Sequence, residues 1–226
     1  MAFAPISDKS TGDILTAANY NLIANNFDEV GVALVTAKGD LTPASGNKAL
    51  IRLAVGVKGN YLAPAAAAPS GLQWQTPYSA ILVKGIAQSI PDATSTAITF
   101  NATDGPGSTA SEVHDPSNMH NNVTQNSRIT VPVGAGALYM IGGFANFAAN
   151  TGGDQRYISI AVNGTEYILQ GQTATPANAV VRLALNVPQI LSAGDWVELK
   201  VYQNRGGALN VTNAGLWMIW QNNFGL

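Results

Sequence analysis

A mainly β chain, folded as an antiparallel sandwich or barrel behind a short helix and an extended segment, is what this sequence predicts, and three observations carry the prediction. The first is the stretch YISIAVNGTEYIL at 157–169. Ile158, Ile160 and Val162 alternate with Tyr157, Ser159 and Ala161, the period of two that puts branched apolar side chains on one face of a strand. Asn163-Gly164 then reverses the chain, because both residues tolerate the positive φ that a two-residue type I′ turn needs. A hairpin with one apolar face is not stable alone, so the remaining chain must cover it. Second, from residue 79 onward the pattern repeats. Candidate strands lie at 81–89, 96–100, 128–131, 138–145, 155–162, 165–170, 180–187, 196–202 and 215–221, separated by short runs of turn residues. Third, no helical period follows Val30.

In chain order, residues 1–35 hold the one helical signal. Thr16 is a good N-cap, and Tyr20, Ile23, Phe27 and Val30 follow at spacings of three, four and three, a single narrow stripe. Such a helix is marginal by itself and is expected to dock on a partner, on copies of itself or on its own domain. Residues 36–78 read as a stalk or collar. Lys38-Gly39-Asp40-Leu41 is echoed by Lys58-Gly59-Asn60-Tyr61-Leu62, a weak strand-and-turn repeat, and the Ala/Pro tract 63–70 reads as a stiff spacer. Residues 79–226 form the β head.

Composition narrows the function. The chain is 46% hydrophobic but only 11% charged, with a net charge of -2 and no basic run. Average proteins carry roughly 25% charged residues, so the surface here is covered by small polar residues or spent on subunit contacts. Sequence-independent nucleic-acid binding needs phosphate neutralisation that this chain does not supply. There is no cysteine, which excludes disulfides, thiolate metal sites and a cysteine nucleophile. No apolar run is long enough to insert in a membrane.

Two candidate strands break the alternation. Leu216-Trp217-Met218-Ile219-Trp220 is apolar throughout, and Ala137-Leu138-Tyr139-Met140-Ile141 nearly so. A sandwich strand normally has one wet face. A strand apolar on both needs a second cover, either a long loop such as 104–127 or a neighbouring subunit. A charge-poor surface suits the second, so Leu138, Met140, Leu216, Trp217, Met218 and Trp220 are the candidate interface residues.

The chemistry-bearing residues form no recognisable catalytic set. His114, Asp115 and His120 are the nearest approach to a metal site, but their spacing matches no strand or helix face, and the loop reads as solvated or as a subunit contact. No Gly-x-Ser-x-Gly elbow occurs, and Glu166 and Glu198 read as solvated outward positions. The expectation is a protein without catalytic residues or cofactor. Trp196, Tyr202 and Tyr157 are expected to face outward, where aromatic rings beside Asn and Gln can stack on sugars. Tyr167 is expected opposite Ile160 on the buried face. The loops 101–126, 146–154 and 171–178 are where recognition would sit.

The runs Ile129-Thr130-Val131-Pro132 with Gly136 and Leu138-Tyr139, then Leu191-Ser192-Ala193-Gly194-Asp195-Trp196-Val197-Glu198-Leu199, then Ala214-Gly215-Leu216-Trp217-Met218, resemble the strand pattern of C1q/TNF-like jelly rolls. The segments at 12–19, 37–41 and 52–56 with 71–74 resemble segments of bacteriophage virion proteins that precede fibre or spike domains. Together the resemblances imply an antiparallel jelly-roll head, a homotrimer in which the last core strands approach the axis, and a place on the virion surface. The N-terminal region, through Tyr20, Ile23, Phe27 and Val30, would attach to a capsid or tail protein. The head would act as a spike, head fibre or decoration, or alternatively as a tail-fibre adhesin whose loops hold a host-cell glycan.

Overall fold

The computed structural model describes residues 37–46, 49–153, 155–173 and 178–222. The expected helix, with Tyr20, Ile23, Phe27 and Val30, lies outside the described residues, as do residues 174–177 of the 171–178 loop. The chain divides into two compact units between Thr76 and Pro77.

The first unit is built from small turns and ladders. Turns at 37–40 and 57–60 close through Asp40 N–H to the Ala37 carbonyl (3.2 Å) and Asn60 N–H to the Val57 carbonyl (3.1 Å). Gly39 and Gly59 take the positive φ, 92° and 95°, so the two echoed sequence motifs make the same turn. β1 (Ala44–Gly46) pairs with β2 (Ala49–Leu50), and Leu41 bridges Leu53. The enclosed Asp40 carboxylate ties this region together. It accepts the N–H groups of Ala37 (2.9 Å) and Val55 (3.0 Å) and the Arg52 Nε–H (2.8 Å). β3 (Tyr61–Pro64) and β4 (Leu72–Gln75) form an antiparallel hairpin. Residues 63–70 are therefore not a stiff spacer: Ala63 and Pro64 belong to β3, and the rest make the turn into β4, which closes through Ala65 N–H to the Gly71 carbonyl (2.8 Å).

The second unit is a two-sheet sandwich. Its strands are β5 (Ser79–Lys84), β6 (Gln88–Ile90), β7 (Thr96–Ala97), β8 (Glu112–His114), β9 (His120–Asn121), β10 (Gln125–Thr130), β11 (Ala137–Phe147), β12 (Gln155–Val162), β13 (Thr165–Thr173), β14 (Val181–Leu191), β15 (Trp196–Gln203) and β16 (Leu209–Asn222). One sheet has the order β14-β11-β16-β5-β8, with β6 also on β16. The other has the order β13-β12-β15-β10-β9, with β7 also on β15. Among the eight main strands β5 and β10 to β16, the first pairs with the eighth, the second with the seventh, the third with the sixth and the fourth with the fifth, all antiparallel. Nested pairs of this kind are one long hairpin wound across two sheets, the jelly roll.

The core lies between the sheets. Ile158, Ile160, Val197, Leu199 and Val201 from one sheet face Leu82, Tyr139, Ile141, Phe147, Leu216 and Met218 from the other, each at most 1% exposed. The Asn163-Gly164 turn has φ of 50° and 84°, the type I′ signature. Asn163 also pins the turn to the next strand connection, donating to Asp195 (2.8 Å) and accepting the Trp196 N–H (3.0 Å).

Beyond the turn the register departs from expectation. Val162 pairs with Thr165 and Ala161 with Glu166, but Ile160 pairs with Ile168. Tyr167 is the extra residue of a β-bulge and is 64% exposed, because a bulge leaves one residue unpaired and re-aims its side chain. Glu166 and Glu198 are likewise not solvated. Glu198 is buried and accepts from Ser127 Oγ, while Glu166 is half-buried and accepts from two serines. No helix among the described residues is long and apolar enough to cross a membrane.

Candidate subunit interface

Strand register fixes which side chains leave the sandwich on the β14-β11-β16-β5-β8 side. Ala80, Leu82, Tyr139, Ile141, Leu216 and Met218 point inward, so their neighbours in sequence point out. The outward residues form rows across the sheet. Ile81, Trp217, Gly142 and Asn186 make one row, and Val83, Gly215, Phe144 and Ala184 make the next. Ile219, Met140 and Pro188 make a third, and Leu138 sits beside Ile190. Ile190 is 52% exposed, and Val113, on β8 at the sheet edge, is 63% exposed. Among the described residues these rows carry no acid; His114, opposite Ile81, stands at the β8 edge of the first row, and Arg182, opposite Asn146, lies on β14 toward one end.

Two glycines give the face its relief. A Cβ on Gly142 would fall 2.5 Å from the Trp217 ring, and one on Gly215 would fall 2.4 Å from the Phe144 ring. Each ring therefore lies down across the glycine of the neighbouring strand. Two aromatic side chains are thus held flat against the sheet.

The predicted interface residues divide on this geometry. Leu138, Met140 and Trp217 stand on the outward face. Leu216 and Met218 do not; both are 0% exposed within the core of a single subunit and have no surface to offer a partner. Trp220 lies beside a register shift, half-buried against the core, with its N–H donating to the Tyr78 carbonyl at 3.0 Å. Ile81, Val83, Phe144, Ile190 and Ile219 stand on the same outward face and were not among the residues expected there. The signal for two of them was present, since Ile81 and Val83 alternate with Ala80, Leu82 and Lys84 in a strand that is apolar on both sides.

The histidines do other work. Both His120 ring nitrogens meet backbone carbonyls, Nδ1 that of Arg128 (2.9 Å) and Nε2 that of Phe100 (3.0 Å). Asp115 spends both oxygens on the N–H groups of Met119 and His120, and His114 Nε2 meets Ser79 Oγ at 2.9 Å. The three are loop fasteners, and among the described residues no group of three or more His, Cys, Asp or Glu is placed to hold a metal ion.

On the opposite outward face the aromatic residues are engaged with neighbours. The Arg128 guanidinium lies 4.2 Å from the centroid of the Trp196 ring, and Tyr157 and Tyr202 stack on each other at 4.6 Å.

No protein-family model matches the chain, and no curated protein does. Among solved structures it is similar to the globular domain of the zebrafish complement 1qA protein (11% identity, 66% of this chain and 100% of that one, TM-score 0.45). It is also similar to PRD1 vertex protein P5 (13% identity, 96% and 100%, TM-score 0.48) and to the Eiger TNF of S. frugiperda (9% identity, 65% and 94%, TM-score 0.44). Likeness at this level assigns neither family nor function.

Proposed function

We propose that this chain is a structural protein of a bacteriophage particle surface, a homotrimer assembled through the β14-β11-β16-β5-β8 face of its jelly-roll head. The observation that carries the reading is that face, rows of mostly apolar side chains that carry no carboxylate among the described residues, with Arg182 only at one end and His114 only at the β8 edge, in a sandwich whose other face is polar. A patch of that kind marks an interaction surface, and depletion of charge with enrichment of aromatic residues and Met is the composition of an interface core. Three copies, rather than two, follow from the resemblance to C1q/TNF-like heads. The virion follows from the resemblance of the N-terminal segments to phage structural proteins. The region 1–35 serves as the attachment to a capsid or tail protein, and the head projects outward without catalytic function.

Native mass measurement of the full chain tests this, together with electron microscopy of particles labelled at the C-terminus. The expected results are a mass of three copies, conversion to single copies by Trp217→Glu, and label on the particle surface. A wild-type monomer would overturn the assembly, and particles without label would overturn the location.

A further inference from the structure

The second sheet carries a constellation that the assembly does not use. Tyr157 and Tyr202 are directly opposite on β12 and β15, with ring centroids 4.6 Å apart and planes 7° from parallel. Their sequence neighbours Ile158 and Val201 are fully buried in the core, so the two rings stand on the outward side, half-exposed.

Glu166 from β13 is drawn over β12 toward them. Ser159 Oγ donates to one of its oxygens (2.7 Å) and Ser95 Oγ to the other (2.5 Å), which fixes the carboxylate in place. Ser159 lies two residues from Tyr157 on the same face of β12, which brings the carboxylate beside the ring pair; burial, then the charge of Glu166 and the neighbouring Tyr202, push the Tyr157 phenol above its ordinary range.

Alongside runs the turn 92–95. Ala93 holds φ at 50°, a left-handed conformation that costs a non-glycine residue free energy and persists only when surroundings enforce it. They do: Ala93 N–H donates to the Gln203 carbonyl (2.8 Å), Gly206 N–H to Asp92 Oδ1 (2.8 Å) and Thr94 Oγ1 to the Asp92 carbonyl (3.0 Å). A brace between two strands would account for the stacked rings alone. It would not account for a carboxylate anchored by two serines beside them, or for a strained turn locked next to the pair.

We propose that Tyr157, Tyr202 and Glu166, bordered by the 92–95 turn, form a binding site for a neutral pyranose unit of a saccharide chain. A pyranose ring has an apolar face of axial C–H groups that packs on an aromatic ring, and a rim of hydroxyls that donate to a fixed carboxylate, a charge-assisted and therefore strong hydrogen bond. Glu166, fixed beside the rings, disfavours a sugar carboxylate there by like-charge repulsion. The site does not depend on the trimer, since the outward faces of the two sheets point in opposite directions.

The test is saturation-transfer NMR on the full chain with methyl glucoside, methyl galactoside, methyl mannoside and N-acetylglucosamine at millimolar concentration, and with glucuronate as the acidic comparison. At least one neutral sugar should receive saturation on its axial C–H protons, and glucuronate should receive none. Tyr202→Ala should weaken binding about tenfold or more. Tyr202→Phe, which keeps the stacked ring and the fold, should retain binding, and Glu166→Gln should weaken it severalfold. Trp196→Ala, elsewhere on the same sheet, should leave binding unchanged. Silence from all four neutral sugars would overturn the site, as would equal binding of glucuronate, undiminished binding by Tyr202→Ala or equal loss in Trp196→Ala.

Discussion

Asp104 and Lys84 form an ion pair, Nζ to Oδ2 2.5 Å, with side chains only 10% and 4% exposed. Burial alone would raise the Asp104 pKa. The hydrogen bond from Lys84, the N–H and side-chain amide of Asn101 and the Lys84 charge outweigh it and hold the carboxyl below its ordinary 3.8. A folded-state pKa lowered in this way contributes stability that is complete above the unfolded value and lost as pH falls through the folded one. Asp104→Asn would leave a buried ammonium without its counter-charge, which costs on the order of 3 kcal/mol near neutral pH. The gap between variant and wild type should then begin to narrow as pH falls below the ordinary 3.8, where the unfolded carboxyl takes up a proton, and go on narrowing until the folded one does so at its lowered value. Urea titrations across pH would check both; a gap that stays constant into acid would contradict the assignment. Asp40 plays a comparable part in the first unit, where one enclosed carboxylate satisfies two backbone N–H groups and Arg52.

At the scale of strands, the outward face depends on glycine where an aromatic ring must lie flat. Gly142→Ala would set a methyl 2.5 Å from the Trp217 ring and 2.1 Å from Asn186 Oδ1, and neither distance is tolerable. Overpacking of this kind costs about 1–3 kcal/mol, and it should lift Trp217 off the sheet. Guanidinium unfolding and a changed tryptophan emission in the folded state would report the two effects.

The same strands show what a sequence can and cannot disclose. The Asn163-Gly164 turn was legible because its chemistry is local: both residues adopt φ that other residues avoid. The bulge at Tyr167 was not, because counting outward from a turn assumes unbroken pairing, and nothing in Glu166-Tyr167-Ile168 announces an extra residue. The runs around Leu138 and Leu216 pointed to a doubly covered sheet, but their parity was hidden. When every position is apolar, alternation gives no phase, and only the register between β11 and β16, with Met140 opposite Ile219 and Gly142 opposite Trp217, sets which half faces out. Glu166 and Glu198 were misread for a related reason. Ser127, the partner of Glu198, and Ser95, one of the two partners of Glu166, each lie 71 residues away in the chain, and the other, Ser159, reaches Glu166 only across the folded hairpin.

At the scale of the whole molecule, a chain with 11% charged residues has placed them unevenly. The face of β13-β12-β15-β10-β9 carries Glu166, Glu198 and Lys200, each hydrogen-bonded, and Arg128 over the Trp196 ring, while among the described residues the outward rows of the opposite face carry only Arg182 at one end and His114 at the β8 edge. If that second face is buried only on assembly, folding and association are one equilibrium, and stability depends on protomer concentration. For a trimer that unfolds to three chains, each tenfold dilution removes two powers of ten from the equilibrium, about 2.8 kcal/mol per mole of trimer. With an unfolding entropy of about 2.1 cal/mol/K per residue over three copies, the melting temperature should fall by about 2 °C per tenfold dilution. Trp217→Glu should melt lower and at a temperature independent of concentration, because its folded state no longer gains from a neighbour. Calorimetry over a hundredfold concentration range separates the two cases. A wild-type midpoint that does not move would mean that the apolar face is not covered by copies of this chain.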